Sequence, residues 1–167
     1  MPRIKEVTLY NYDELSDEAK EKARDWYRES SSNDDWWGST YEDAERIGLK
    51  ITAFDIDRGS YVQAKFIKGA YECAKLILAK HGKECETYKT AQSYIQAVDK
   101  VYDLEKQDED YNSDDDIYEI DKEFLKTIQK EYRIILQKEY EYINSDEYVE
   151  ENIQANEYEF TEEGGRA

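Results

Sequence analysis

The sequence predicts an α+β domain in which a small antiparallel sheet packs with a helix-rich C-terminal half. Three observations lead there. Residues 49–66 hold two strand-like runs, LKITAFDI and SYVQAKF, on either side of Asp57-Arg58-Gly59, the pattern of a β-hairpin. From Ala70 onward, apolar residues recur in steps of three and four, the period of helices that bury one face. The chain has 167 residues with one proline, Pro2, and no Gly/Ser linker, so residues 1–163 are expected to form a single domain and residues 164–167 a flexible tail.

Each element has its own signal. Ile4–Tyr10 has β character, with Val7 and Leu9 alternating against polar neighbours, and this strand is expected to join the hairpin. Ser16 is placed as an N-cap, with Asp17 and Glu18 in the first turn where a helix dipole favours anions. Ala19, Ala23 and Trp26 share a face of that helix, and SSSND at 30–34 breaks it. A second helix is expected over 35–47, with Trp37, Tyr41, Ala44 and Ile47 on one stripe and Gly48 as the residue beyond its end.

In the second half, Ala70, Cys73, Ala74, Ile77 and Leu78 mark a helix ending at His81-Gly82. Tyr88, Ala91, Ile95, Val98 and Tyr102 mark the next. Leu125, Ile128, Tyr132, Ile135 and Leu136 mark a long one reaching about Ile143. Ser145 caps a short helix carrying Val149 and Ile153, and NEYEF at 156–160 alternates as a last strand.

Charge is the dominant feature. The chain carries 41 Asp and Glu against 23 Lys and Arg, a formal charge of -18. Such acidity without aromatics would predict disorder, but 3 Trp, 16 Tyr and 4 Phe supply apolar area enough for a core. Residues 101–167 hold 22 of the acids and only 7 of the bases. The stretch DLEKQDEDYNSDDDIYEID at 103–121 has ten carboxylates with Lys106 as its one cation. A field of this sign repels nucleic acid and anionic membranes and speeds encounter with basic proteins. No apolar run approaches the roughly 18 residues that span a bilayer, and MPRIKEVTLY lacks an apolar leader core, so a cytoplasmic location is expected.

Signals for catalysis are weak. ITAFDIDRGS resembles the Asp-x-Asp strand end of haloacid-dehalogenase-like phosphotransferases. That chemistry needs a parallel sheet with further ligands from later strands, whereas here a hairpin partner follows and Asp57-Arg58-Gly59 reads as a turn, with Arg58 pairing an aspartate. His81, the only histidine, is expected to cap its helix end, and Cys73 to lie buried on an apolar face. Two cysteines make neither a disulfide framework nor a zinc set. No catalytic residues, cofactor or bound metal are expected. One alternative is a calcium loop over 110–121. It offers Asp110, Asn112, Asp114 and Asp116 at the alternate positions and Asp121 at the last, but Asp115 replaces the turn glycine.

The segments YNYDELSDEAKEKARDWYRE (10–29), WWGSTYEDAERIGLKITAFDIDRGSY (36–61), HGKECETYKTA (81–91) and EYEYINSDEYVEENIQANEYEFTEEG (139–164) resemble a family of small acidic proteins of bacteriophages and mobile elements. Members carry the labels hypothetical protein or antitoxin of toxin–antitoxin stability system. The resemblance implies a protein acting inside a bacterial host, as an inhibitor of a defence enzyme or as an antitoxin neutralising a cognate toxin.

Together with the charge, this predicts a non-enzymatic inhibitor that binds a basic, nucleic-acid-handling protein, by imitating DNA, and binds no nucleic acid or membrane itself. The candidate partner-binding residues form two groups. Asp108, Glu109, Asp110, Asp114, Asp115 and Asp116 lie in the acidic stretch. Glu139, Tyr140, Glu141, Tyr142, Asp146, Glu147, Tyr148, Glu150 and Glu151 lie in the Tyr-rich run that follows, where rings offer binding area at low entropic cost.

Overall fold

A computed structural model describes residues 2–31, 35–57 and 59–167. Residues 32–34 of the expected helix break and Arg58 of the expected turn lie outside the described residues. Helix outweighs strand, 62% against 11%, which makes the chain α+β with a helix-rich C-terminal half. Where one domain was expected over 1–163, the chain folds as two compact units, Met1–Trp36 with Glu139–Ala167 and Trp37–Lys138.

The first unit is built on α1 (Asp17–Ser31). Ser16 caps it as expected, its Oγ accepting from the Ala19 N–H at 3.2 Å. At the other end, the Ser30 and Ser31 hydroxyls donate back to the carbonyls of Trp26 and Tyr27, one turn earlier in the helix. Its buried Ala19 and Ala23 admit close approach by a core of Tyr12, Leu15, Val149, Ile153 and Phe160.

The expected first strand is cut short. Residues 2–9 are exposed or half-exposed and form no ladder, and only β1 (Tyr10–Asn11) pairs. It pairs not with the hairpin but antiparallel with β4 (Glu159–Phe160), giving two separate two-stranded sheets instead of one. The reason is burial: Phe160 is fully enclosed and draws Tyr10 opposite it, whereas Ile4 and Val7 have no apolar surface to cover.

The expected tail is also folded. Gly164 is buried against Ala19, Thr161 accepts a return bond from Gly164, and the Ala167 N–H donates to the Glu159 carbonyl at 3.1 Å.

The second unit holds α2 (Gly38–Arg46), the hairpin β2 (Leu49–Asp55) and β3 (Tyr61–Phe66), α3 (Ala70–Lys80), α4 (Glu86–Gln107) and α5 (Asp114–Ile143) as far as Lys138. Gly48 ends α2 at φ +77°, a conformation that costs a side-chain-bearing residue about 1 kcal/mol or more. At the end of β2 the Asp55 side chain makes an Asx turn, its Oδ1 accepting from the Asp57 N–H at 2.8 Å. Leu49, Ile51 and Val62 face the core.

The buried stripe of α4 is Thr87, Ala91, Tyr94, Val98 and Val101, rotated by about one position from the expected set, so that Tyr102 lies exposed. Tyr94 turns inward because its ring stacks on Phe124 of α5, with centroids 4.3 Å apart. The same rotation on α5 buries Phe124, Ile128, Tyr132 and Leu136 and leaves Ile135 at the surface. The first unit closes with α6 (Asp146–Ala155), capped by the Ser145 hydroxyl oxygen, which accepts from the Tyr148 N–H.

Candidate functional site

The structure gathers Asp108, Glu109, Asp110, Asp114, Asp115 and Asp116 at one end of the second unit, where α4 stops and α5 begins. All six are exposed. Local bonds shape the connection. Asp108 Oδ1 accepts from the Asp110 N–H at 3.0 Å, Asn112 Oδ1 from the Asp114 N–H at 2.9 Å, and Ser113 donates to Glu105 at 2.9 Å. Tyr111 donates its hydroxyl to Asp116, which holds the phenol pKa up.

Asp114, Asp115 and Asp116 occupy the first turn of α5, where the helix dipole favours them. Among the described residues, none of these six carboxylates has a Lys, Arg or His within ion-pair distance.

Calcium-loop geometry is not met here. Helix begins at Asp114, so residues 114–121 are helical and side chains two positions apart diverge by about 200° instead of converging on an ion. Among the described residues no group of three His, Cys, Asp or Glu side chains is arranged to hold a metal.

The second set lies in the first unit, on the end of α5 and on α6, and it divides. Asp146 and Glu150, one turn apart, face α1. Arg28 donates from Nη2 to Asp146 Oδ1 at 2.5 Å, and this bond holds the Asp146 carboxyl below its ordinary range. Arg24 Nη1 lies 3.5 Å from Glu150 and donates to the Tyr12 hydroxyl at 2.9 Å, while Tyr12 donates to Glu150 at 2.7 Å. Burial, followed by the bond to Glu150, pushes the Tyr12 phenol up to about 12. Asp146 and Glu150 are therefore neutralised within the chain.

Glu147 and Glu151 face solvent, and Glu139 is half-buried. Tyr140 and Tyr142 expose 44% and 51% of their surface. Tyr148 packs on Tyr142 and lines a hollow of about 260 Å³ with Tyr27, Trp36 and Tyr140, the Trp36 and Tyr140 rings 5.6 Å apart.

One grouping has no sequence signal. His81 does not turn its imidazole to the end of α3 as expected. Its Nδ1 is 2.6 Å from the Thr87 hydroxyl, and its Nε2 is 3.3 Å from Asp43 Oδ2, at an angle that makes no hydrogen bond. Asp43 in turn accepts from the Tyr132 hydroxyl at 2.9 Å. Burial holds the Tyr132 phenol well above its ordinary value.

These side chains border a cavity of about 460 Å³ that also meets Cys85 and Glu131. Glu131 accepts from Thr90 through one oxygen, and burial raises its carboxyl pKa. Residue 43, the 81–85 segment and residue 131 are far apart in sequence, and no spacing rule could have joined them.

Comparison with family models, with curated proteins and with solved structures found no match to this chain. Among the described residues no helix is long and apolar enough to cross a membrane.

Proposed function

We propose that the chain is a non-enzymatic, acidic protein of phage or mobile-element origin that binds and inhibits a basic, nucleic-acid-handling enzyme of the bacterial host, competing with nucleic acid for its groove. The observation that carries this reading is the cluster at the α4–α5 connection: six exposed carboxylates with no cation within ion-pair distance among the described residues. Elsewhere the fold neutralises acids where they pack, as Arg24 and Arg28 do for Asp146 and Glu150. Carboxylates left unpaired on a chain of charge -18 are a surface for an external cation array. Glu147 and Glu151, with the exposed rings of Tyr140 and Tyr142, supply a second contact in which aromatic area adds to charge.

The test is capture of partners from bacterial lysate by the intact chain, beside a variant with Asp108, Asp110, Asp114, Asp115 and Asp116 changed to Asn and Glu109 to Gln. Circular dichroism of the variant first establishes that α5 still forms. The expected result is one stoichiometric, nucleic-acid-acting protein held by the parent, released by salt, displaced by added DNA and not retained by the variant. A partner held equally by the variant would remove the acidic cluster from the interface. A partner toxic when expressed alone would reassign the protein as an antitoxin.

A further inference from the structure

The cavity bordered by α3, α4 and α5 holds two buried polar atoms with no hydrogen-bond partner among the described residues, Glu131 Oε2 and His81 Nε2. Leaving such an atom unpaired costs on the order of 1–3 kcal/mol, more for a charged group. Among the described residues nothing offsets this for Glu131. No Lys or Arg among the described residues pairs with it, and the charge that acts on it is another carboxylate, Glu86. Asp43 adds a further carboxylate to the wall, while Ile134 and Ile135 give it an apolar side. The cations Lys80 and Lys138 are exposed, where long stems keep their charge in water. At about 460 Å³ the volume is that of an ordinary small-ligand site.

We infer that this cavity binds an alkylguanidinium or alkylammonium group, its N–H donors meeting Glu131 Oε2 and His81 Nε2 and its alkyl stem lying on Ile134 and Ile135. A cation suits Glu131 where a neutral donor does not, because it satisfies the oxygen and stabilises the charge that burial disfavours. When Nδ1–H is given to the Thr87 hydroxyl, 2.6 Å away, Nε2 keeps a lone pair, and with Asp43 Oδ2 3.3 Å from it the two form a pair of acceptors that a cation's N–H groups satisfy together. The inference stands apart from the inhibitor reading and concerns the chain alone.

The test is a titration of the purified intact protein with n-butylguanidinium and with its neutral analogue n-butylurea, followed by calorimetry and by nitrogen NMR. Because the chain has one histidine, the imidazole signals report this cavity without assignment. Binding of n-butylguanidinium about tenfold or more tighter than n-butylurea is expected, with a shift of the His81 Nε2 signal. Glu131→Gln should lower that affinity by about tenfold or more, while Glu21→Gln, at an exposed position of α1, leaves it unchanged.

Equal binding of the two probes, or an unmoved His81 signal in the parent protein, would overturn the assignment whether or not the variant folds. A blocked Gly-Arg-Gly peptide separates the sources of such a cation. Binding as tight as n-butylguanidinium points to a side chain of another protein, and exclusion of the peptide points to a free small amine or guanidine.

Discussion

Cys73 and Cys85 have opposite surroundings and should differ in chemistry. Cys73 is buried in the core of the second unit, and burial pushes its thiol up to about 12, whereas Cys85 is exposed at the start of α4. Because the thiolate is the reactive form, a thiol reagent should label one cysteine in the native protein and both in denaturant. Mass spectrometry of the adduct should place the native label on Cys85, and rapid labelling at Cys73 would contradict the packing of α3.

Glu131 gives a second residue-scale prediction, with a definite sign. Its folded pKa is raised, so the native state holds a proton more tightly than the unfolded chain. Its contribution to stability is full below the ordinary glutamate value of 4.5 and is lost as pH rises through the raised one. Glu131→Gln keeps an acceptor for Thr90 and removes the charge. The variant should melt above the parent protein at pH 7, with the gap closing toward pH 4. A variant melting below the parent at pH 7 would show that Glu131 has a cationic partner.

At the scale of elements, the C-terminal turn decides whether the first unit closes. Gly164 sits at φ +89°, and a Cβ there would come within 2.2 Å of the Ala19 carbonyl oxygen, a backbone atom of α1 that cannot yield cheaply. Gly164→Ala should destabilise the protein by about 2 kcal/mol or more, since the left-handed backbone alone costs about 1–2 kcal/mol. Denaturant unfolding measures this, and a loss under about 0.5 kcal/mol would mean the turn is not held against α1 in solution. The neighbouring Arg166 lies 4.9 Å from the Tyr158 ring and 5.8 Å from Trp26, a contact that closes the turn over the aromatic cluster.

Self-repulsion acts on the whole molecule. A charge of -18 on 167 residues, with most acids exposed, disfavours the compact state at low ionic strength. Raising NaCl from about 0.02 to 0.5 M shortens the screening length several-fold, so the melting temperature should rise. A melting temperature that fell with salt would mean that the ion pairs of Arg24 and Arg28 outweigh the net repulsion.

Local chemistry was sufficient to determine much of this protein from sequence. The Ser16 and Ser145 caps, the Gly48 helix end and the apolar stripes of α3 and α6 each depend on neighbours within a few positions, and each lies where the pattern put it. The acidic residues of 108–116 were legible for the same reason, since exposure follows from charge density alone.

Tertiary structure decided what depends on partners remote in the chain. Phe160 chose Tyr10 over the hairpin, and Phe124 rotated α4 onto Tyr94. Arg24 and Arg28 took Asp146 and Glu150 out of the acidic face. Asp43, His81 and Glu131 met at one cavity. In each case the deciding free energy is burial or pairing between residues tens of positions apart, and periodicity carries no record of which distant side chain will supply it.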